Sequence, residues 1–226
     1  VGRCRTGQGR ALLTAAPRVS TIHPHTPPSG AMHRTVAALR RAIKAIHHVH
    51  PGHDDVGIAA AAESLAAGLE SAGTLGIRQE SLLRHTRSPL SGVMNPMAPP
   101  MTSEYHTDRV VSTVTFNEAY QGPPACVHGG FVAALLDEAL GRVRHLTDRN
   151  CVTGSLSVNY RRPTPVNVEL TVDARIVEMH PRKMLVRGAI LHGGEVTAEA
   201  EAVFVFLDTE KFNALVVDAR KASSNG

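Results

Sequence analysis

The segment EVTAEAEAVFVF, residues 195–206, alternates polar with apolar over 195–202 and closes on an apolar run. Val196, Ala198, Ala200, Ala202, Phe204 and Phe206 fall on one side; Glu195, Thr197, Glu199 and Glu201 fall on the other. That is the period-two signature of a strand with one buried face. Three successive alanines on the buried side leave room for a helix to lie close. Upstream, Val152, Leu156, Val158 and Tyr160 alternate with Thr153, Ser155, Ser157 and Asn159. Val168, Leu170, Val172, Ala174 and Ile176 alternate with polar partners, and residues 182–192 form a further run. A helical stretch from about His128 to His145 precedes all four runs. Residues 109–117 predict another strand, ended by Gly122-Pro123-Pro124. One helix followed by four consecutive strands requires antiparallel pairing, because parallel neighbours need crossover helices. The expected fold is α+β, an antiparallel sheet wrapped around one long central helix.

The helix opens on His128-Gly129-Gly130. Two residues without Cβ let a carbonyl oxygen or phosphate approach the free N–H groups at the positive end of the helix dipole. Such a terminus serves as an oxyanion hole for acyl transfer, although a plain glycine-rich turn before a helix has the same sequence. Asp137 adds a second signal. Its helical neighbours Ala133, Ala134, Leu140 and Gly141 make an apolar, close-packing face. A carboxylate there needs a cleft, a substrate or nearby backbone or Ser/Thr groups to serve it. Glu138, by contrast, can pair with Arg142 one turn on. Gly129 and Asp137 are eight residues apart, or ~12 Å along a helix, and cannot easily meet on one substrate atom. Two such helices side by side in a symmetric dimer would bring one N-terminus near the other's Asp137.

Upstream, Val36, Leu39, Ile43 and Ile46 predict one amphipathic helix that Pro51-Gly52 ends. Ile58, Ala62, Leu65 and Leu69 predict a second, capped by Asp55 and stopped near Gly73. Both stripes are thin and need a partner surface. Residues 87–103, with Pro89, Pro96, Pro99 and Pro100, read as a linker. Residues 1–31 read as a leader without sustained periodicity. Arg-rich and acid-free, it fits a mitochondrial transit peptide. The preference for Arg over Lys and the Ala runs favour instead a GC-rich bacterial coding sequence, with Met32 as the true start.

Composition limits the partners. The 226 residues carry a formal charge of +4, with 24 basic against 20 acidic side chains. Residues 1–53 hold eight basic groups and no acid, so the remainder is net negative. A basic pI near 9.3 therefore reflects the first quarter and does not argue for nucleic acid. With no Trp, three Tyr and five Phe, base-stacking platforms are hard to build. No apolar run approaches the ~18 residues of a membrane span. Cys4, Cys126 and Cys151 are too few and too scattered for a disulfide framework or a four-ligand zinc site, which favours a reducing, cytoplasmic compartment.

Taken together, Gly122-Pro123-Pro124, His128-Gly129-Gly130, Asp137, Thr153 and Asn159-Tyr160-Arg161-Arg162-Pro163 resemble hotdog-fold acyl-CoA thioesterases. The branch is the HGG-motif, phenylacetate-pathway type, similar to thioesterase superfamily member 4-like proteins. The resemblance covers about residues 93–208 and implies a hotdog domain over 93–210, after a helical extension and linker over 32–92 and before a tail over 211–226. It implies dimers or tetramers with the site shared between protomers, and acyl-CoA as substrate. Carried over by position, the Gly129 N–H polarises the thioester carbonyl, and Asp137 acts as nucleophile or general base. His128 helps to shape the oxyanion site and Thr153 orients the water or carboxylate. Gly130, Arg161, Arg162, Arg182 and Lys183 are placed on the substrate side, the cations for coenzyme A phosphates. Some relatives carry Asn six residues before the His; here that position is Gly122, as in the member 4-like pattern.

Weaker constellations remain. Cys126 two residues before His128 suggests a Cys–His nucleophile, but no third orienting group is evident. His47, His48, His50, His53, Asp54 and Asp55 could gather a metal, although a solvated helix end is the simpler account. The expected activity is thus hydrolysis of an acyl-CoA thioester with no metal or redox cofactor, coenzyme A being part of the substrate. A non-catalytic acyl-CoA-binding or regulatory protein is the alternative, and a hotdog hydratase lacks its separated Asp/His dyad here.

Overall fold

The computed structural model describes residues 30–49, 56–72, 86–147 and 149–208, with 210, 213, 214 and 217 beyond them. Helices α1 (Gly30–Ile46) and α2 (Val56–Ser71) come first. Strands β1 (Met101–Tyr105) and β2 (Arg109–Thr115) lead to a 3-10 turn at Glu118–Tyr120 and the central helix α3 (Gly129–Arg142). A 3-10 turn at Val143–Leu146 ends that helix. Four strands follow: β3 (Cys151–Tyr160), β4 (Glu169–Met179), β5 (Lys183–His192) and β6 (Glu195–Phe206). All six strands form one antiparallel sheet in the order β1-β2-β4-β5-β6-β3. Its inner face wraps α3, whose Val132, Leu135, Leu136, Ala139 and Leu140 are buried.

The trough that holds the helix crosses three strands. Ala200 of β6, Gly188 of β5 and Ala174 of β4 are register partners in one row beneath α3. A Cβ built on Gly188 would stand 2.7 Å from Leu140 Cδ1 and 2.8 Å from the Asp173 carbonyl oxygen. The close approach anticipated from the alanines of β6 is thus sharpest one strand away. Gly188→Ala should destabilise the chain by about 1–3 kcal/mol through overpacking. A chemical-denaturation midpoint unchanged from wild type would refute that tight fit.

Three local expectations need correction. Residues 87–103 are not wholly linker, because Met101–Tyr105 pairs with β2 along its whole length. Thr197, expected on the polar side of β6, is buried at a register shift, where its hydroxyl faces the Ile190 carbonyl and Thr164 Oγ1. The third correction concerns β3. Thr153 pairs with Phe204 and Ser155 with Val203, leaving Gly154 as an extra residue. This bulge reverses the alternation. Thr153 therefore shares the inner face with Phe204, whereas Val152 pairs with Val205 on the outside. Beyond the bulge Leu156, Val158 and Tyr160 face inward, opposite Ala202, Ala200 and Ala198.

The extension is only partly docked. Val36 is the one buried residue of α1, whose Arg40 donates to the carbonyls of Gly92 and Asn95. Lys44 pairs with Glu118 at 3.3 Å. Glu118's own backbone N–H, then the Asn167 amide, hold its carboxyl down to about 2. No residue of α2 is buried, and Ile58, Leu65 and Leu69 of its apolar stripe are exposed. The leader through residue 29, the Asp55 cap, Gly73 and most of the tail lie outside the described residues.

Candidate active site

The loop before α3 is folded back on itself by its own hydrogen bonds. Gly122 N donates to the Cys126 carbonyl, Cys126 N to Pro123, and Ala125 N to the Gln121 side chain. Ala125 takes a left-handed φ of 61° to close the turn. Val127 N and Val166 N then tie the loop to the β3–β4 connection through the Thr164 and Ala125 carbonyls. His128 N donates to the Tyr120 carbonyl at 2.8 Å, so the start of α3 is fixed from behind. Gly122 lies directly against it, and a Cβ there would meet His128 Cα at 2.9 Å. The absence of a side chain at Gly122 thus has a local reason: any larger residue would push His128 aside.

His128 caps the helix, its Nδ1 accepting from Gly130 N–H at 3.0 Å. Its own carbonyl accepts from Phe131 N and Val132 N. Among the described residues the Gly129 N–H donates to no partner. It stands at the first helical position, where the dipole is most positive. Beside it lies a groove of about 410 Å³ lined by Cys126, Val132, Tyr160, Arg161 and Thr164 among others. Tyr160 Oη–H donates to the Gly129 carbonyl at 2.9 Å.

Asp137 lies in the same unbroken helix, ~12 Å further along. It is half-buried, and its Oδ1 accepts from Thr153 Oγ1 at 2.9 Å. The neighbouring Glu138 has other duties, accepting from Ser91 Oγ at 2.6 Å and from Arg142 at 3.3 Å. One protomer therefore presents an N–H donor at one end of the helix and a hydroxyl-oriented carboxylate at the other. Groups of these two kinds are chemically able to stabilise an oxyanion and to act as a base or nucleophile.

A family model described as Thioesterase superfamily matches residues 126–199. A crystal structure of a thioesterase superfamily protein is 31% identical, with a TM-score of 0.75, and the match covers 83% of this chain and 96% of that one. The chain belongs to the thioesterase superfamily. Curated relatives include acyl-coenzyme A thioesterase THEM4 of Mus musculus, 31% identical over 46% of this chain and 45% of the mouse protein. THEM5 of Homo sapiens is 28% identical over 40% of this chain and 38% of its own length. The match thus spans less than half the length of these relatives. The hotdog fold expected of the superfamily is the one observed, a six-stranded antiparallel sheet around α3 with helices before it.

The superfamily member's cations divide into two groups. Arg161 and Arg162 follow β3, their backbone N–H groups on the Thr197 carbonyl, and both line the groove beside Gly129. Each also meets a carboxylate, Arg161 with Glu199 and Arg162 with Glu195. Arg182 and Lys183 stand at the β4–β5 turn, where the Arg182 carbonyl accepts from Phe206 N. Thr197 and Phe206 are nine positions apart along β6, ~30 Å of strand, so one protomer does not bring the two groups together. His128 Nδ1 is engaged with Gly130, and Cys126 is a half-buried free thiol on the groove wall. Among the described residues no three His, Cys, Asp or Glu side chains cluster to hold a metal, and His50, His53, Asp54 and Asp55 lie outside them. No described helix is long and apolar enough to cross a membrane.

Sequence reasoning gave Tyr160 no role. Alternation set it with Leu156 and Val158 on the inner face, but nothing local in the sequence shows that its hydroxyl meets the Gly129 carbonyl, 31 residues away.

Proposed function

We propose that this chain is an acyl-CoA thioesterase of the HGG type, hydrolysing an acyl-CoA thioester to a carboxylic acid and coenzyme A. The observation that carries the reading is the pair of unlike groups on α3: an unengaged Gly129 N–H beside an open groove, and Asp137 oriented by Thr153. The thioester carbonyl oxygen accepts from Gly129 N–H, which stabilises the charge that develops in the transition state. Asp137 attacks the carbonyl carbon or takes a proton from the attacking water, and Thr153 fixes the carboxylate's direction. The sulfur leaves as the thiolate of coenzyme A. This chemistry calls for no metal or redox cofactor. The chain's likeness to the acyl-coenzyme A thioesterases THEM4 and THEM5 supports this reading.

The site is completed by a second copy. Strand β3 is an edge of the sheet, and most of its ten residues are exposed. A long unpaired edge invites pairing with another chain. Antiparallel pairing of two β3 strands about a two-fold axis sets the Thr153 end of one beside the Tyr160 end of the other. The partner's Asp137 then faces Gly129 across the seam. The same operation brings the partner's Arg182 and Lys183 toward Arg161 and Arg162, making one basic margin for the coenzyme A phosphates. The free thiols at Cys126 and Cys151 suit a reducing, cytoplasmic compartment.

A panel of acyl-CoA substrates of increasing chain length, followed with a thiol reagent, tests the activity. Release of free thiol from at least one of them is expected. Tight acyl-CoA binding with no thiol released by the pure protein would overturn the reading in favour of a non-catalytic binding protein.

A further inference from the structure

Tyr160 is more than half exposed, yet its hydroxyl is committed to the backbone of the helix start. The peptide between Gly129 and Gly130 is gripped at both ends. Its carbonyl accepts from Tyr160 Oη–H at 2.9 Å, and its N–H donates to His128 Nδ1 at 3.0 Å. The preceding peptide is held at one end only, the His128 carbonyl accepting from Phe131 N and Val132 N. Between these two units sits Gly129 Cα, the most conformationally free residue type in the chain. A glycine here leaves the groove open to substrate, but it also leaves the direction of its N–H poorly determined by its own sterics. An oxyanion donor works only if its direction is set before charge develops.

We infer that Tyr160 is a positioning residue for the oxyanion hole: through the Gly129 carbonyl it fixes the peptide pair that aims the Gly129 N–H into the groove. The inference rests on the thioesterase reading for its catalytic consequence, but not for the clamp itself. The Gly154 bulge lets Tyr160 and Thr153 share the inner face of β3, so that one strand reaches both ends of the helix. The run of bonds from Tyr160 Oη through the Gly129–Gly130 peptide to His128 Nδ1 polarises in one sense, each link strengthening the next. With Nδ1 accepting, neutral His128 carries its proton on Nε2. The ring of Tyr160 has a separate role, since it stands 3.6 Å from where a Cβ on Gly129 would be and lines the groove.

Tyr160→Phe keeps the ring and deletes the hydroxyl, which separates the two roles. In the full-length chain without substrate, amide hydrogen exchange at Gly130 should quicken by about fivefold or more in Tyr160→Phe, as its bonded peptide loosens. Unchanged exchange there would overturn the clamp, whatever the protein hydrolyses. Where wild type releases thiol from an acyl-CoA, Tyr160→Phe should lower kcat by about tenfold with KM within about twofold, because the lost bond acts on the transition state. p-Aminophenylalanine at position 160 restores a donor at the same reach and should recover most of kcat. A raised KM with kcat intact, or loss without recovery by the amino analogue, would show that Tyr160 only lines the groove. Absence of thiol release by wild type would instead defeat the thioesterase reading and leave the exchange result standing.

Discussion

Asp137→Ala is expected to give a folded protein whose acyl-CoA hydrolysis is reduced by about 10²-fold or more. Asp137 is half-buried, and its Oδ1 accepts from Thr153 Oγ1. Asp137→Asn is the sharper variant, since an amide oxygen can still accept from Thr153 while the negative charge and the nucleophile are gone. A carboxylate kept only to satisfy Thr153 would be replaced by that amide with little change in turnover. The check is thiol release per folded molecule, with folding judged by thermal melting. Turnover equal to wild type in Asp137→Asn would remove this residue from the chemistry.

Gly129→Pro should be equally damaging, by about 10²- to 10³-fold in kcat. Proline is well suited to the first position of a helix, because the N–H it lacks has no intrahelical partner there. The residue before a proline must be extended, and His128 already has φ −59° and ψ 134°. A Cβ at Gly129 meets nothing closer than 3.6 Å. The substitution therefore deletes the proposed oxyanion donor while the backbone keeps its course. It also yields a test of the shared site. Mixing inactive Asp137→Ala with inactive Gly129→Pro and allowing subunits to exchange should restore activity to about a quarter of wild type, since half the dimers would carry one intact site. A site contained within one protomer predicts no recovery at all.

The layout of the hotdog domain could be read from alternation because alternation records burial directly. The runs over 168–176 and 195–206 became β4 and β6 with their apolar sides inward. What escaped was whatever depends on a register between strands. Gly188 has no periodic signature, and its need for a bare Cα comes from Leu140 and Asp173, which are distant in sequence. β1 is five residues behind two prolines, too short to announce itself beside β2, on which it pairs. β3 pairs with β6, the last strand of the chain, across the intervening β4 and β5, and no local pattern gives that order. At the site, Thr153 was assigned through the resemblance while plain alternation put it on the wrong face. Gly122 likewise looked like a missing Asn until His128 was seen packed against it.

The extra residue at Gly154 makes β3 behave like text with a reading frame. Swapping one letter for another in this strand alters a single contact, whereas losing or gaining a letter changes which side of the page every later letter is printed on. Shortening the strand by one residue between Thr153 and Ser155 would turn either Thr153 away from Asp137 or Tyr160 away from Gly129. In an alignment of related chains, a gap placed one position off here would therefore exchange inner for outer residues. Length at this point carries as much of the site's specification as the identities of Thr153 and Tyr160 themselves.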